Sequence, residues 1–167
     1  MLNMDAAKEL FRYSDWANGQ LIMAAAPLSD DKLDTPVEMG PGSLRRTLMH
    51  LWAGEHVWLQ RWQRRTETAW PDEAERLSPK EIGERLSKVS GIRAAFIDSV
   101  KPESLGREIT YRDSKGDLFT ATLSDMLIQG ILHSVHHRAQ AVNMIRRAGG
   151  ISVDLDYMYW IRKPTGK

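Results

Sequence analysis

Apolar positions recur along this chain at a period of 3.6 residues in four long stretches, which predicts four helices. Over residues 4–26, Leu10, Tyr13, Ala17, Leu21 and Ala24 follow that period. Asn3 caps this helix and Pro27 lies just past its end. Over residues 43–65 the stripe is Leu44, Leu48, Leu51, Trp58 and Trp62, and Ser43 is the cap. The third helix opens on Ser78-Pro79-Lys80-Glu81, a capping box with proline at the first helical position. Ile82, Leu86, Val89, Phe96 and Val100 carry it to Pro102. The fourth spans residues 122–148, from Thr122 as cap to Gly149-Gly150 as stop.

Elsewhere the helical period is absent. Residues 28–42 contain Pro36, Gly40, Pro41 and Gly42 and read as a loop. It exceeds the roughly 2–8 residues usual between neighbouring helices, so it either crosses the bundle or lines a functional surface. Another loop surrounds Pro71. In residues 107–121, Ile109 and Tyr111 alternate with polar residues before Asp113-Ser114-Lys115-Gly116, and Phe119 and Ala121 alternate after it. That is a short hairpin. Two strands alone are marginal in water, so the hairpin is an insert and not a sheet domain. An aromatic segment, Tyr157 to Trp160, closes the chain. The pattern predicts an all-α fold: one four-helix-bundle domain over residues 1–167 with a β-hairpin insert.

Composition narrows the classes. At 167 residues and 19.0 kDa the chain is one ordinary domain. A domain of this size needs no disulfide or metal merely to hold it together. Hydrophobic residues at 42% and charged residues at 27% exclude a disordered tail or a membrane span. Lys and Arg total 23 against 22 Asp and Glu, a net +1, which argues against a dedicated nucleic-acid binder. There are no cysteines, so disulfides, Cys–zinc sites, iron–sulfur clusters and cysteine nucleophiles are excluded together. Any metal must be held by His, Asp or Glu, and any thiol must come from the substrate. Asp5, Glu9 and Asp15 interrupt the N-terminal stretch, and no basic region precedes it. The expectation is a soluble cytoplasmic protein with no membrane partner.

All five histidines fall in two of the predicted helices. His133 and His137, four residues apart, share one face one turn apart, within reach of a single ion. Met126, Gly130, Gln140, Ala141 and Met144 neighbour them there, so this face should point into the bundle. Gly130 leaves room for a partner helix, a ligand or close packing. His50 is the candidate third ligand, beside the apolar stripe of its own helix. His56 points about 120° away from His50, and His136 about 60° from His133 on the side away from His137. Three neutral imidazoles suit a borderline divalent ion and leave positions open for water or substrate. The same spacing also suits two packed histidines with backbone partners.

Other residues give weaker signals. Trp58 and Trp62 fit the core, or an aromatic pocket wall. Arg61, Arg64 and Arg65 fit a solvated helix end, where basic residues suit the dipole, or a site for an acidic substrate. Glu55 is a support for a metal ligand, a general base or an ordinary surface residue. Glu38 and Asp30, Asp31 and Asp34 read as loop solvation.

Three motifs resemble those of the DinB-like (DinB/YfiT) proteins. They are Tyr13-x-x-Trp16-x-Asn18, His50-Leu51-x-x-x-Glu55-x-x-Trp58 and His133-x-x-His136-His137-Arg138-x-Gln140, in that order, with Asp156-Tyr157 near the end. The resemblance covers nearly the whole chain. It implies a four-helix bundle with long crossing connections. It also implies a divalent metal, zinc or nickel, held by His50, His133 and His137, and a homodimer. Relatives act as thiol S-transferases, using a thiol such as bacillithiol, or as mycothiol-dependent isomerases. The family often has glycine where this chain has Ala139, which bears on packing near Gln140 and not on the ligands.

The leading expectation is therefore a metal-dependent transferase in which the metal activates a low-molecular-weight thiol for attack on an electrophile. The alternatives are a metal-dependent hydrolase and a non-catalytic metal- or small-ligand-binding dimer. A third is a purely structural dimer with the histidines buried as neutral core groups.

Overall fold

The computed structural model describes residues 2–65 and 69–165. Four long helices form where the caps and periods place them. They are α1 (Met4–Ala25), α3 (Leu44–Trp62), α4 (Pro79–Ser99) and α5 (Leu123–Arg147). Each opens on a side-chain oxygen that satisfies a free first-turn N–H. Asn3 accepts from Ala6 at 2.8 Å, Ser43 from Arg46 at 3.3 Å and Thr122 from Asp125 at 3.1 Å. At Ser78 the box is complete, with Oγ accepting from Glu81 N–H and the Glu81 carboxylate accepting from Ser78 N–H.

The segment expected to be one loop, residues 28–42, contains a short helix, α2 (Asp30–Asp34). Five residues give no readable period, and two contacts hold it. Leu33 is 2% exposed and enters the core. Asp30 and Asp34 both pair with Arg45, itself buried at the start of α3. These two acids therefore neutralise a buried guanidinium, whereas Asp31 and Glu38 are exposed as expected.

The hairpin is β1 (Glu108–Arg112) paired antiparallel with β2 (Leu118–Thr122), with Tyr111 opposite Phe119. Gly116 turns it at φ +89°, a left-handed conformation that suits glycine. Strand β2 runs directly into α5, and Ile109 is buried against the bundle. A short final helix, α6 (Tyr157–Ile161), packs on α1, where Tyr13 meets Tyr157 edge-on.

In the bundle α3 packs against α4 and α5, and α1 against α4 and α5. The links from α1 to α3 and from α4 to α5 therefore join diagonal helices, which is why both are long. Two apolar clusters fill the ends. One is built on Leu21, Leu44, Leu48, Leu51, Ile82 and Ile145, the other on Phe11, Leu59, Trp62, Leu123 and Leu127. A buried polar layer separates them. Arg93 pairs with Glu55 and Asp15, Asn18 donates to Glu55 at 2.7 Å, and Arg138 donates to Ser14 at 2.6 Å. Buried charges are tolerated when paired and hydrogen-bonded in this way. Among the described residues no helix is long and apolar enough to cross a membrane.

Candidate metal centre

Helices α3 and α5 lie side by side at the level of the polar layer, and three histidines meet between them. The ring centroids of His50 and His137 are 4.3 Å apart, those of His133 and His137 4.5 Å, and those of His50 and His133 5.1 Å. One donor nitrogen from each lies within 4.8 Å of the other two. A tetrahedral ion bound at about 2.1 Å needs such nitrogens roughly 3.3 Å apart, so shifts of an ångström or less would close the set. These are the three residues singled out in the sequence. They are half-buried; the innermost positions of α5 here are Ser134 and Arg138, so the expected inward face is rotated slightly.

Two neighbours fix which nitrogen His50 and His137 offer. His50 donates Nδ1–H to the Glu73 carboxylate at 2.5 Å, leaving Nε2 as its lone-pair donor. His137 donates Nδ1–H to Gln140 Oε1 at 2.8 Å, again freeing Nε2. The Gln140 amide nitrogen then donates to His136 Nε2 at 2.9 Å, which holds the glutamine in this orientation. Burial, followed by the proximity of His137 and His50, pushes the His133 imidazole down to about 3. Burial also lowers His137, against the opposing hydrogen bond of Gln140. Both rings are thus neutral at physiological pH, the form that binds a cation. Burial disfavours the charge on Glu73, but hydrogen bonds from His50 and Trp70 outweigh it and hold the carboxyl below its usual range.

The space for His133 is made by Gly54, one turn after His50. A Cβ there would lie 2.5 Å from Cε1 of His133 and 2.9 Å from its Nδ1. Gly40, at φ +52°, brings the α2–α3 loop onto Gln140, where a Cβ would lie 2.3 Å from Oε1. The long loop therefore touches the centre through the residue that orients His137. Gly130 serves packing and not a ligand: its missing Cβ admits Trp62 at 2.9 Å.

Several expectations are corrected. Glu55 is neither at the centre nor on the surface; it is the buried partner of Arg93. Arg61 is not a solvated helix end, since it is buried against Trp58 and Tyr111. Arg64 and Arg65 are exposed. Trp62 is core, whereas Trp58 is half-buried under Arg61. His56 stacks near Trp52 and His136 is exposed, so neither belongs to the convergent set. Glu73, Trp70 and Gly54 were not singled out from the sequence. A glycine inside a helix one turn from His50 was a usable signal, while Glu73 and Trp70 sit in a segment with no period.

A cavity of about 510 Å³ opens beside the centre, and its wall includes His50, Glu73, Trp70 and Arg61. Clefts of this size fit small-molecule ligands. The donor set, three convergent imidazoles of which two have assigned lone pairs, beside a cavity, fits a divalent ion.

Fold and site together define a helical-bundle protein whose one cluster of convergent ligand groups, among the described residues, is a histidine triad. The comparisons place it more narrowly. Residues 1–164 match the DinB family, and the chain belongs to that family. It is 24% identical to Protein DinB of Bacillus subtilis (strain 168), over 98% of each chain. Its fold resembles a DinB-like protein from Bacillus cereus ATCC 10987, with a TM-score of 0.71 and 20% identity over 91% of this chain and 97% of that one. It also resembles YfiT from Bacillus subtilis, with a TM-score of 0.69 and 19% identity over 89% of this chain and 91% of that one. YfiT is described as a probable metal-dependent hydrolase with an unusual four-helix bundle topology.

Proposed function

We propose that this protein is a divalent-metal-dependent thiol S-transferase, with His50, His133 and His137 as the metal ligands. The observation that carries the reading is the convergence of three imidazoles, two with their donor nitrogens set by Glu73 and Gln140, beside a small-molecule cavity whose wall includes His50. A bound zinc or nickel ion would supply positive charge that favours a thiolate over a thiol. The residues of the chain hold the ligands in register, keep the His133 and His137 rings unprotonated by burial and shape the cavity for the substrates. In the reaction the thiol proton passes to solvent and the sulfur–carbon bond forms. The bond from that carbon to its leaving group breaks, and the leaving group departs with the electron pair. The lack of any cysteine suits this chemistry, since no thiol of the chain competes for the metal. The proposal includes a cytoplasmic homodimer acting on small molecules, with neither nucleic acid nor membrane as partner.

A metal-dependent hydrolase is the second reading, favoured by the ionised Glu73 carboxylate on the cavity wall. The test is to assay the zinc- or nickel-loaded protein with a panel of thiols and an alkyl or aryl halide. The proposal expects a rate above the uncatalysed reaction that requires both metal and thiol. A rate equal to the uncatalysed one for every thiol contradicts it, and thiol-free hydrolysis of a test ester supports the second reading.

A further inference from the structure

Arg61 is a charged side chain only 7% exposed, yet it lines the same cavity as His50. Its guanidinium carbon lies 4.7 Å from the ring centres of both Trp58 and Tyr111. One N–H is satisfied by the carbonyl of Arg112 at 2.9 Å. Among the described residues no carboxylate forms an ion pair with it; Asp113 acts on it only from a longer distance. The Asp113 carboxylate is itself engaged, accepting from the backbone N–H groups of Lys115 and Asp117 in the hairpin turn. Of the other three buried arginines among the described residues, Arg45 has Asp30 and Asp34 in contact and Arg93 has Glu55 and Asp15, while Arg138 has the neutral partners Ser14 and Asn18 and does not line this cavity. A buried guanidinium packed against two rings, with no contact counter-ion and lining a cavity, is a ready site for a carboxylate.

We infer that the cavity is a two-point site, in which Arg61 binds the carboxylate of a thiol whose sulfur reaches the three-histidine centre. This rests on the thiol-transfer reading and adds the substrate's charge and length. His50 and Arg61 are eleven residues apart on α3, which is three turns along one face and about 16 Å of helix axis. Allowing for the reach of both side chains, the span left is on the order of 10 Å. Two-carbon thiols are too short to bridge it. A thiol of cysteinyl di- or tripeptide size, with a carboxylate at its far end, fits. The hairpin matters to this site because β1 supplies Tyr111 and the Arg112 carbonyl, which fix the guanidinium.

The test compares glutathione with its diethyl ester, a pair that differs in carboxylate charge and not in the thiol. Binding to the zinc-loaded protein is followed by tryptophan fluorescence, since Trp70 lines the cavity and Trp58 packs against Arg61. S-methylglutathione and the chelator-stripped protein give the same comparison without the sulfur contact. The wild type is expected to prefer the free carboxylate by about tenfold or more, a preference weakened by added salt. Arg61→Gln is expected to bring the ratio close to one, and Arg61→Lys to keep part of it. A purely structural role would weaken both ligands equally in each variant. An unchanged ratio in a folded Arg61→Gln protein overturns the inference. So does a wild-type preference that is absent or insensitive to salt, a measurement that needs no variant. Loss of turnover with the carboxylate preference intact, for S-methylglutathione as for glutathione, would instead count against the thiol reading alone.

Discussion

At the scale of single residues the centre depends on small changes with distinct signatures. Gly54→Ala puts a methyl group against the His133 ring. Alanine favours a helix by about 1 kcal/mol over glycine, so the metal-free protein should keep its stability within about that margin. Metal affinity should fall by about tenfold or more, as when a support of a ligand is lost. A zinc titration against a competing chelator measures it, and unaltered affinity would show that His133 has other room. His133 makes a second prediction. Folded, it stays neutral down to about 3; unfolded, it takes a proton near 6.5. Between those values the unfolded chain binds the extra proton, so stability contributed by His133 is present above 6.5 and is lost as pH falls. Urea unfolding of the metal-free protein at pH 7 and pH 4.5 should show a larger acid loss for wild type than for His133→Gln. The difference should be on the order of 1–2 kcal/mol, allowing for the ring's partial exposure. Equal losses would mean that the ring is not held neutral.

At the scale of elements, the least expected piece is α2, and its ion pairs are testable. Hydrogen bonds from Arg45, ahead of those from Arg76, hold Asp34 below its usual carboxylate range. Asp34→Ala leaves Arg45 with Asp30 alone. Because Asp34 is about a third exposed, the loss should be near 1 kcal/mol, or about 3–4 °C in Tm. No change in Tm would mean that Leu33 alone docks α2. The four long helices were legible because each couples a cap residue to a sustained apolar period: Asn3, Ser43, Ser78 and Thr122 all cap as read. Helix α2 was not, since its order comes from tertiary contacts, Asp30 and Asp34 with Arg45 of α3 and Leu33 with the core, that no local period announces. The histidines were legible through i, i+4 spacing. Glu73 and Trp70 were not, because an irregular segment carries them to His50. Arg61 was misjudged for a related reason. A basic residue near a helix end is ordinarily solvated, and only the arrival of Tyr111 from the hairpin buries it.

At the scale of the whole molecule, two diagonal crossings put α3 beside α5, and the polar layer of Glu55, Arg93 and Arg138 runs at the same level as the histidines. On both helices the buried polar residue is the next neighbour of a site residue: Glu55 follows Gly54, Ser134 follows His133 and Arg138 follows His137. The layer therefore ties the positions of the three rings to the packing of all four long helices. The direct measurement is the metal content of protein purified without chelators, by inductively coupled plasma mass spectrometry. The account predicts one divalent ion per wild-type chain, with that stoichiometry lost in His50→Ala, His133→Ala and His137→Ala and kept in His56→Ala. No bound ion in the wild type, or full stoichiometry in His133→Ala, would contradict it.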